Sequence, residues 1–213
     1  MKNFMEIMNF RHACKIFDEN KKISEKDFEY ILEGARLSPS SFGLEPWHFL
    51  VIENQKIKEA LRPSIWNQPQ VTSSSHFVII LSKKAEFFAR GSAYLDEAFK
   101  RKVKDNKEML EAVKGAFLNF SENELKPDLV NWAKMQTYIA GANMMNAAAS
   151  IGIDSCPIEG FPYKALHEAL LKNVPAFDDK KYNISFCIAF GYRVNEQPAK
   201  IRWPLNKIAT FVK

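Results

Sequence analysis

The sequence predicts a fold that mixes helices with a small number of strands in one domain. Three short runs rich in β-branched and aromatic residues are typical of strands, and they cover residues 48–52, 77–81 and 184–190. The sequence between them is mostly helical in character. No repeat, low-complexity tract or flexible linker divides the 213 residues, and 46% of them are apolar or aromatic, which suffices for a sizeable core. We therefore expect a single domain over residues 1–213.

Two helices are predicted before the first strand. Residues 3–10 alternate apolar and polar positions at helical spacing. A second helix opens at Ser24, with Asp27 three residues later, and its apolar positions recur at intervals of three and four: Phe28, Ile31, Leu32, Ala35 and Leu37. Pro39 and Gly43 end it, because proline disfavours helix for the residue before it and glycine frees the backbone.

Two helical stretches follow the second strand. Residues 93–118 are charged and amphipathic, and their length suits one or two exposed helices. Residues 128–151 are apolar nearly all round and carry many small residues, which permit close approach by another helix. Such a helix, about 36 Å long, is rarely surrounded completely by one domain of this size. We therefore expect a second subunit to cover part of it.

The charge pattern argues against a nucleic-acid-binding protein. Thirty Lys and Arg against 25 Asp and Glu give a net charge of +5, but the two signs are interleaved along the chain.

Residues 1–10 carry neither a long apolar run nor a cleavage site, so we expect no signal peptide and no membrane span. Cys14, Cys156 and Cys187 lie far apart, and this indicates reduced thiols in a cytoplasmic protein.

Motifs for metal binding and nucleophilic catalysis are missing from the sequence. The four histidines are isolated, no cysteine is paired with one, and no G-x-S-x-G elbow or glycine-rich phosphate loop occurs. We expect no metal site. A nicotinamide, if it is used, is a transient visitor and not a resident cofactor.

Four cations near the two ends of the chain predict an anion site. Arg11 and Lys15 lie where a helical pattern breaks off, and Lys200 and Arg202 alternate around Ile201. Fixed Arg and Lys side chains suit a phosphate group through charge-assisted hydrogen bonds. An alternative for Arg11 and Lys15 is a helix C-terminal pair that complements the helix dipole.

Four segments in order resemble the flavin-dependent nitroreductases. They are RHACKIF at 11–17, SPSSFGLEPWHF at 38–49, DSCPIEGF at 154–161 and KIR at 200–202. The resemblance implies an α+β fold with a central, mainly antiparallel sheet flanked by helices and a long buried helix at a dimer interface. It also implies a homodimer with one FMN per subunit at that interface, and NAD(P)H as the co-substrate.

The resemblance implies roles for the N-terminal and C-terminal residues. Arg11, Lys200 and Arg202 would bind the FMN phosphate. Lys15 would lie at the pyrimidine edge of the flavin, where an ammonium stabilises the negative charge of the reduced ring. We expect His12 to hold backbone or cofactor geometry rather than to donate protons. The family often has Ser or Thr at the position of Ala13, so Ala13 is expected to contact the cofactor through its backbone.

Three further segments are implied in FMN binding, and each has a structural alternative. Ser40 and Ser41, shaped by Pro39 and Gly43, would contact the partner subunit's FMN, or they would only close a local turn. Asn67 and Gln70 carry amides that match the flavin pyrimidine, with Gln68 close enough to compete. In the segment Pro157, Ile158, Glu159 and Gly160, an amide near Glu159 or Gly160 would donate to flavin N5. The alternative for that segment is a turn that leads into a helix from Pro162.

The activity implied is hydride transfer from NAD(P)H through flavin N5 to nitroaromatic or quinone acceptors, with ping-pong kinetics. No side chain is expected to act as a general acid; Lys15 and Glu159 assist the flavin. Candidate aromatic walls for the acceptor are Phe42, Phe117 and Phe120, with Trp132 beside them. One alternative is a specialised flavin reductase of the same fold, such as a dehalogenase or enoyl reductase. The other is a dimeric binding module that has lost its flavin and holds nucleotides or nucleic acid on its basic surface.

Overall fold

The structure, a computed structural model, describes residues 3–104 and 106–213. Helices surround one sheet in this part of the chain. The helices and strands have the following bounds, in chain order: α1 Phe4–Phe10, α2 Glu25–Arg36, β1 Trp47–Ile52, α3 Gln55–Leu61, α4 Pro69–Ser73, β2 His76–Lys83, α5 Ala93–Val103, α6 Lys107–Phe120, α7 Leu129–Ser150, β3 Asp154–Ile158, α8 Tyr163–Asn173, β4 Tyr182–Gly191 and α9 Leu205–Ile208.

The four strands form one antiparallel sheet in the order β1-β2-β4-β3. The strands predicted at 48–52, 77–81 and 184–190 are confirmed as β1, β2 and β4. The strand β3 was not predicted, because Pro157 interrupts its short run. As an end strand of this ladder β3 tolerates a proline, since the missing N–H lies on the side away from β4.

Side chains alternate between the two faces of the sheet and fill a core on each. Phe77, Ile79 and Leu81 of β2 pack with residues of α3, α4 and α8. Val78 and Ile80 face α2 and α7. A third cluster lies between α5, α6 and the start of α7. The predicted stretch 93–118 is therefore two helices with a buried side each, and residue 105 between them lies outside the described residues.

Two glycines allow the long helix α7 to lie close to its neighbours. A Cβ at Gly141 would come within 2.5 Å of the Phe186 ring on β4, and one at Gly34 of α2 within 2.9 Å of the Ala147 Cβ. The predicted close approach of a second helix is thus confirmed. Helix α7 is not covered all round in this single chain, since its Met135 is 58% exposed.

After β4 the chain continues to residue 213 with many apolar side chains in solvent. Trp203 is 76% exposed and Phe211 is 80% exposed. Each helix of the described residues is too short or too polar to cross a membrane. The segment from 197 to 202 turns back to the N-terminal residues, and this return positions the site.

Candidate functional site

The segment from Arg11 to Lys15 runs in extended form beside β3. The Cys14 N–H donates to the Ser155 carbonyl oxygen at 3.0 Å, and Ala13 pairs with Ser155 in a parallel bridge. Cys14 is buried while Ala13 and Lys15 are exposed, as alternation along an extended chain requires. Because Lys15 lies outside α1, the alternative of a helix C-terminal pair does not apply to it.

A buried ion pair holds this segment in place. The Arg193 Nε donates to Asp154 Oδ1 at 2.7 Å, and its backbone N–H donates to Oδ2 at 3.0 Å. The same guanidinium donates to the Phe10 carbonyl oxygen at 3.0 Å and lies 4.2 Å from the Phe10 ring centroid. Arg193 therefore ties the end of α1 to the start of β3.

The two ends of the chain meet around one cavity of about 440 Å³. Lys200 Nζ donates to the Arg11 carbonyl oxygen, and His12 Nε2 lies 2.8 Å from the Pro198 carbonyl oxygen. His12 thus contacts backbone. All four predicted cations line this cavity. Its lining residues are Arg11, His12, Ala13, Lys15, Gln197, Pro198, Ala199, Lys200, Ile201 and Arg202.

The charges around the cavity favour the binding of an anion. None of the described residues that line the cavity carries a carboxylate. Burial lowers the pKa of Lys200, and the positive charges of Arg11, Arg202 and Arg193 lower it further. Cations that repel one another at close range are relieved when an anion binds between them, so this arrangement favours a phosphate.

The loop after β3 is held by contacts from two sides. On one side the Tyr138 hydroxyl, from α7, donates to Glu159 Oε1. On the other, Gln68 Nε2 donates to the Gly160 carbonyl oxygen at 2.8 Å, and a Cβ at Gly160 would come within 2.6 Å of the Trp66 ring. In the part of the chain that the structure describes, the N–H groups of Glu159 and Gly160 donate to no acceptor. They are available to a ligand.

Pro157 and Ile158 are part of β3 and not of a turn. Pro157 lies opposite Ile188 and Ile158 opposite Cys187. The side chain of Ile158 is in the core, with 2% of its surface exposed. Any contact of Ile158 with a ligand would therefore involve its backbone.

Gln70 links this loop to Lys15 through Cys156. Gln70 is buried, and its Nε2 donates to Gln68 Oε1 at 2.7 Å and lies 3.8 Å from Cys156 Sγ. Lys15 Nζ lies 3.6 Å from the same sulfur. Burial raises the pKa of Cys156, and Lys15 opposes the rise. Asn67, by contrast, is exposed, with a left-handed φ of 54°.

The two serines after α2 differ in their contacts, because Ser40 closes a local turn and Ser41 bonds to helix α7. Ser40 Oγ accepts from the Glu45 N–H at 2.8 Å, and the Ser41 N–H donates to Gln136 Oε1 at 2.9 Å. For Ser40 the structure thus favours the alternative of turn closure within this chain. Its second lone pair leaves room for a ligand contact.

Pro39 and Gly43 flank these serines. Pro39 is exposed. Gly43 has a φ of 56°, and a Cβ there would come within 2.6 Å of Lys102 Nζ, which donates to the Phe42 carbonyl oxygen. Any larger residue would therefore strain the backbone and displace Lys102.

Of the three candidate aromatic walls, two reach the surface. Phe42 is 38% exposed, and its ring stacks on Phe120, which is half-buried, with centroids 5.6 Å apart. Phe117 is fully buried and meets Phe42 edge-on at 5.3 Å. The expectation that Phe117 lines the acceptor site is wrong for this chain, because the hydrophobic core encloses its ring; it supports Phe42 from below. Trp132 is buried in the same cluster.

Three residues of the site, Trp66, Tyr138 and Arg193, were not among the predicted site residues, and Gln68 was predicted only as a competitor of Asn67 and Gln70. Trp66 adjoins Asn67, and the run of polar and aromatic residues at 66–70 was the only signal for it. The sequence pattern gives Tyr138 no feature that separates it from the apolar positions of a buried helix. Arg193 and Asp154 are 39 residues apart in the sequence, and helical or strand periodicity does not predict a contact at that separation.

Comparison with known proteins identifies the family. The model of the Nitroreductase family matches residues 8–192. The chain belongs to the nitroreductase family. YfkO of Bacillus subtilis, a protein named as an NAD(P)H nitroreductase, is 43% identical over 218 residues, covering 98% of this chain and 96% of that protein. A Haemophilus influenzae protein of the same designation is 39% identical, with coverage of 98% and 96%.

A solved nitroreductase from Exiguobacterium sibiricum in complex with FMN has a TM-score of 0.81 and 26% identity, and the match covers 100% of this chain and 98% of that one. A Bacillus subtilis nitroreductase structure, at 24% identity with 98% coverage of both chains and a TM-score of 0.83, shares the fold. Family and fold predictions are confirmed, and the chain is an oxidoreductase by membership.

Proposed function

We propose that this chain is an FMN-dependent oxidoreductase that transfers a hydride from NAD(P)H to nitroaromatic or quinone acceptors with ping-pong kinetics. It works as a single domain over residues 1–213 in a cytoplasmic homodimer. The observation that carries the proposal is the cavity in which Arg11, Lys15, Lys200 and Arg202 meet without a carboxylate.

The residues of the cavity fit the phosphate of FMN. Arg11, Lys200 and Arg202 supply permanent cations, and the lowered pKa of Lys200 reflects burial and the like charges beside it. A phosphate bound here gains charge-assisted hydrogen bonds and removes this repulsion. The FMN-bound relative from Exiguobacterium supports the choice of cofactor.

Other residues of the chain suit the ring system of FMN. Bound FMN supplies an N5 atom that takes a hydride from the nicotinamide and passes it to the acceptor. Lys15, at the junction of the cavity and Cys156, would hold a positive charge beside the pyrimidine. The N–H groups of Glu159 and Gly160, which have no acceptor among the described residues, are the donors that suit N5, and the amides of Asn67 and Gln70 suit the pyrimidine edge.

Acceptors would be selected by stacking and electron deficiency rather than by a charged pocket. Phe42 and Phe120 present a paired aromatic surface that suits a flat molecule. No side chain is assigned as a general acid. This predicts a broad acceptor range, with nitroaromatics and quinones preferred over saturated compounds.

Exposed apolar surface supports the homodimer. Met135 and Ile139 on α7 and Trp203 and Phe211 near the C-terminus are all in solvent in the single chain. Clusters of large exposed apolar side chains are typical of an interface. In that dimer Ser40 and Ser41 would lie against the partner subunit's FMN. Three free cysteines agree with the cytoplasm as the compartment.

The test is an anaerobic titration of the purified, FMN-loaded protein with NADH and with NADPH, followed by addition of a nitroaromatic or a quinone. We expect bleaching of the flavin absorbance by a nicotinamide and its recovery on addition of the acceptor, in two separable phases. Protein that stays colourless with added FMN would refute the proposal. So would bound flavin that neither nicotinamide reduces.

A further inference from the structure

Tyr138 connects the long helix α7 to the loop after β3. Its hydroxyl donates to Glu159 Oε1, and its ring stacks on Phe186 of β4 with centroids 4.4 Å apart and planes 20° apart. Burial raises the pKa of Tyr138 and the hydrogen bond to Glu159 raises it further, so the phenol remains a donor at neutral pH. The side chain is thus fixed at both ends, the ring by the sheet and the hydroxyl by the loop.

The loop itself is fixed from the opposite side. Gln68 Nε2 donates to the Gly160 carbonyl oxygen at 2.8 Å, and the Trp66 ring lies where a Cβ of residue 160 would be. These contacts use the carbonyl of Gly160 and the carboxylate of Glu159. They leave both N–H groups of the loop unused among the described residues.

An ionised carboxylate can only accept hydrogen bonds, and Glu159 Oε1 accepts one from the Tyr138 hydroxyl. Glu159 lies at the surface, so without Tyr138 its carboxylate would be hydrated and its side chain free to change rotamer. With Tyr138 it accepts a hydrogen bond from a neutral phenol whose ring is packed on the sheet. The contact therefore fixes the orientation of the Glu159 side chain and of the loop that carries it.

We propose, on the basis of the proposed function, that Tyr138 is a positioning residue for the flavin: it holds Glu159 so that the Glu159 and Gly160 N–H groups are directed at flavin N5. It contacts neither the hydride nor the acceptor. Its effect is on the affinity for FMN and on the rate at which flavin N5 is reduced.

The test compares Tyr138→Phe with Tyr30→Phe. Tyr30 is a matched control, because it is also 42% exposed and its hydroxyl lies 3.3 Å from Ser150 Oγ, outside the proposed site. Phenylalanine at 138 keeps the ring on Phe186, so the fold is retained. The measurements are the FMN dissociation constant of the apoprotein and the limiting rate of flavin reduction at saturating nicotinamide.

We expect Tyr138→Phe to raise the FMN dissociation constant about three- to tenfold and to slow the limiting reduction rate about tenfold, as loss of one ordering hydrogen bond predicts. The dependence of the rate on nicotinamide concentration should stay unchanged. Tyr30→Phe should match the wild type in both measurements.

A double-mutant cycle with Glu159→Ala separates positioning from packing. If Tyr138 acts through Glu159, adding Tyr138→Phe to Glu159→Ala causes no further loss. The inference about Tyr138 would be overturned if Tyr138→Phe behaved like the wild type, or if it caused an equal loss in the wild type and in Glu159→Ala. Neither result would affect the proposed function. Failure of the wild-type protein to bind FMN would overturn the proposed function and this inference with it.

Discussion

The ion pair between Arg193 and Asp154 gives a sharp prediction about how the site is built. Asp154 is 3% exposed, and its two oxygens accept from the Arg193 guanidinium and backbone N–H. In Arg193→Ala the backbone bond survives, but the carboxylate loses its cation, and the Phe10 carbonyl oxygen loses the hydrogen bond from the guanidinium. The Asp154 charge is left buried with one backbone hydrogen bond and no cation.

The expected cost is large for one residue. Removal of one partner from a buried pair costs about 3–5 kcal/mol, and the surviving backbone bond places this case near the lower end. A domain is stable by about 5–15 kcal/mol in total. A loss of about 3 kcal/mol corresponds to a fall in melting temperature of roughly 6–12 °C for a chain of this size.

The assay is urea unfolding followed by far-UV circular dichroism, at one fixed protein concentration because association would alter the apparent stability. The control is Arg101→Ala, which breaks an exposed pair with Glu45 whose atoms are 3.2 Å apart. We expect the control to lose less than about 1 kcal/mol. We expect the double variant Arg193→Ala/Asp154→Asn to recover part of the loss, because it no longer buries a charge.

Arg193→Ala should also weaken FMN binding, since the Phe10 contact positions the segment that follows it. An Arg193→Ala loss no larger than that of Arg101→Ala would refute the reasoning. A double variant less stable than Arg193→Ala would refute it too.

Three further predictions concern the site and the core. Lys200→Met should weaken FMN binding about 10- to 100-fold by removing a phosphate contact. The exposed control Lys207→Met should leave FMN binding unchanged. Equal FMN affinities of the two variants in calorimetry would contradict this prediction. Gly160→Ala, whose Cβ would meet the Trp66 ring at 2.6 Å, should slow flavin reduction in stopped flow, while Gly115→Ala in open space should leave it unchanged. Burial lowers the pKa of Lys58 from 10.5 to about 8, so the unfolded chain binds more protons than the folded one between these values. Wild-type stability relative to Lys58→Met should therefore be constant below pH 8 and rise between pH 8 and 10.5 in urea titrations; a flat difference would exclude the effect.

The sequence predicted those parts of the fold that leave a periodic or compositional signal. The strands β1, β2 and β4 are apolar runs, and Ser24 caps α2, since its Oγ accepts from the Asp27 N–H at 3.1 Å as the spacing indicates. The strand β3 was not predicted because Pro157 is unusual in a strand; it is tolerated here because its ring lies on the side away from the β4 ladder. Helix α7 was recognised from its small residues, two of which lie where neighbours approach closely.

The site was predictable where charge alone marks it. Arg11, Lys15, Lys200 and Arg202 do line one cavity, as four permanent cations at two extended segments suggested. The contacts of Arg193 and Tyr138 were not predictable, because their partners Asp154 and Glu159 lie 39 and 21 residues away in the sequence and no local pattern marks such a pair. Phe117 was misplaced for a related reason: an aromatic residue on an amphipathic helix has the same pattern whether it lines a ligand or fills the core.

The central claim is that the two ends of the chain form one phosphate site for FMN. Calorimetry of FMN against riboflavin, which lacks the phosphate, tests it most directly in the wild type and in the triple variant Arg11→Met/Lys200→Met/Arg202→Met. We predict that the wild type prefers FMN by at least about 100-fold, from two or more charge-assisted contacts, and that the triple variant binds the two flavins nearly equally. Equal wild-type affinity for FMN and riboflavin, or an FMN preference that survives in the triple variant, would contradict the claim.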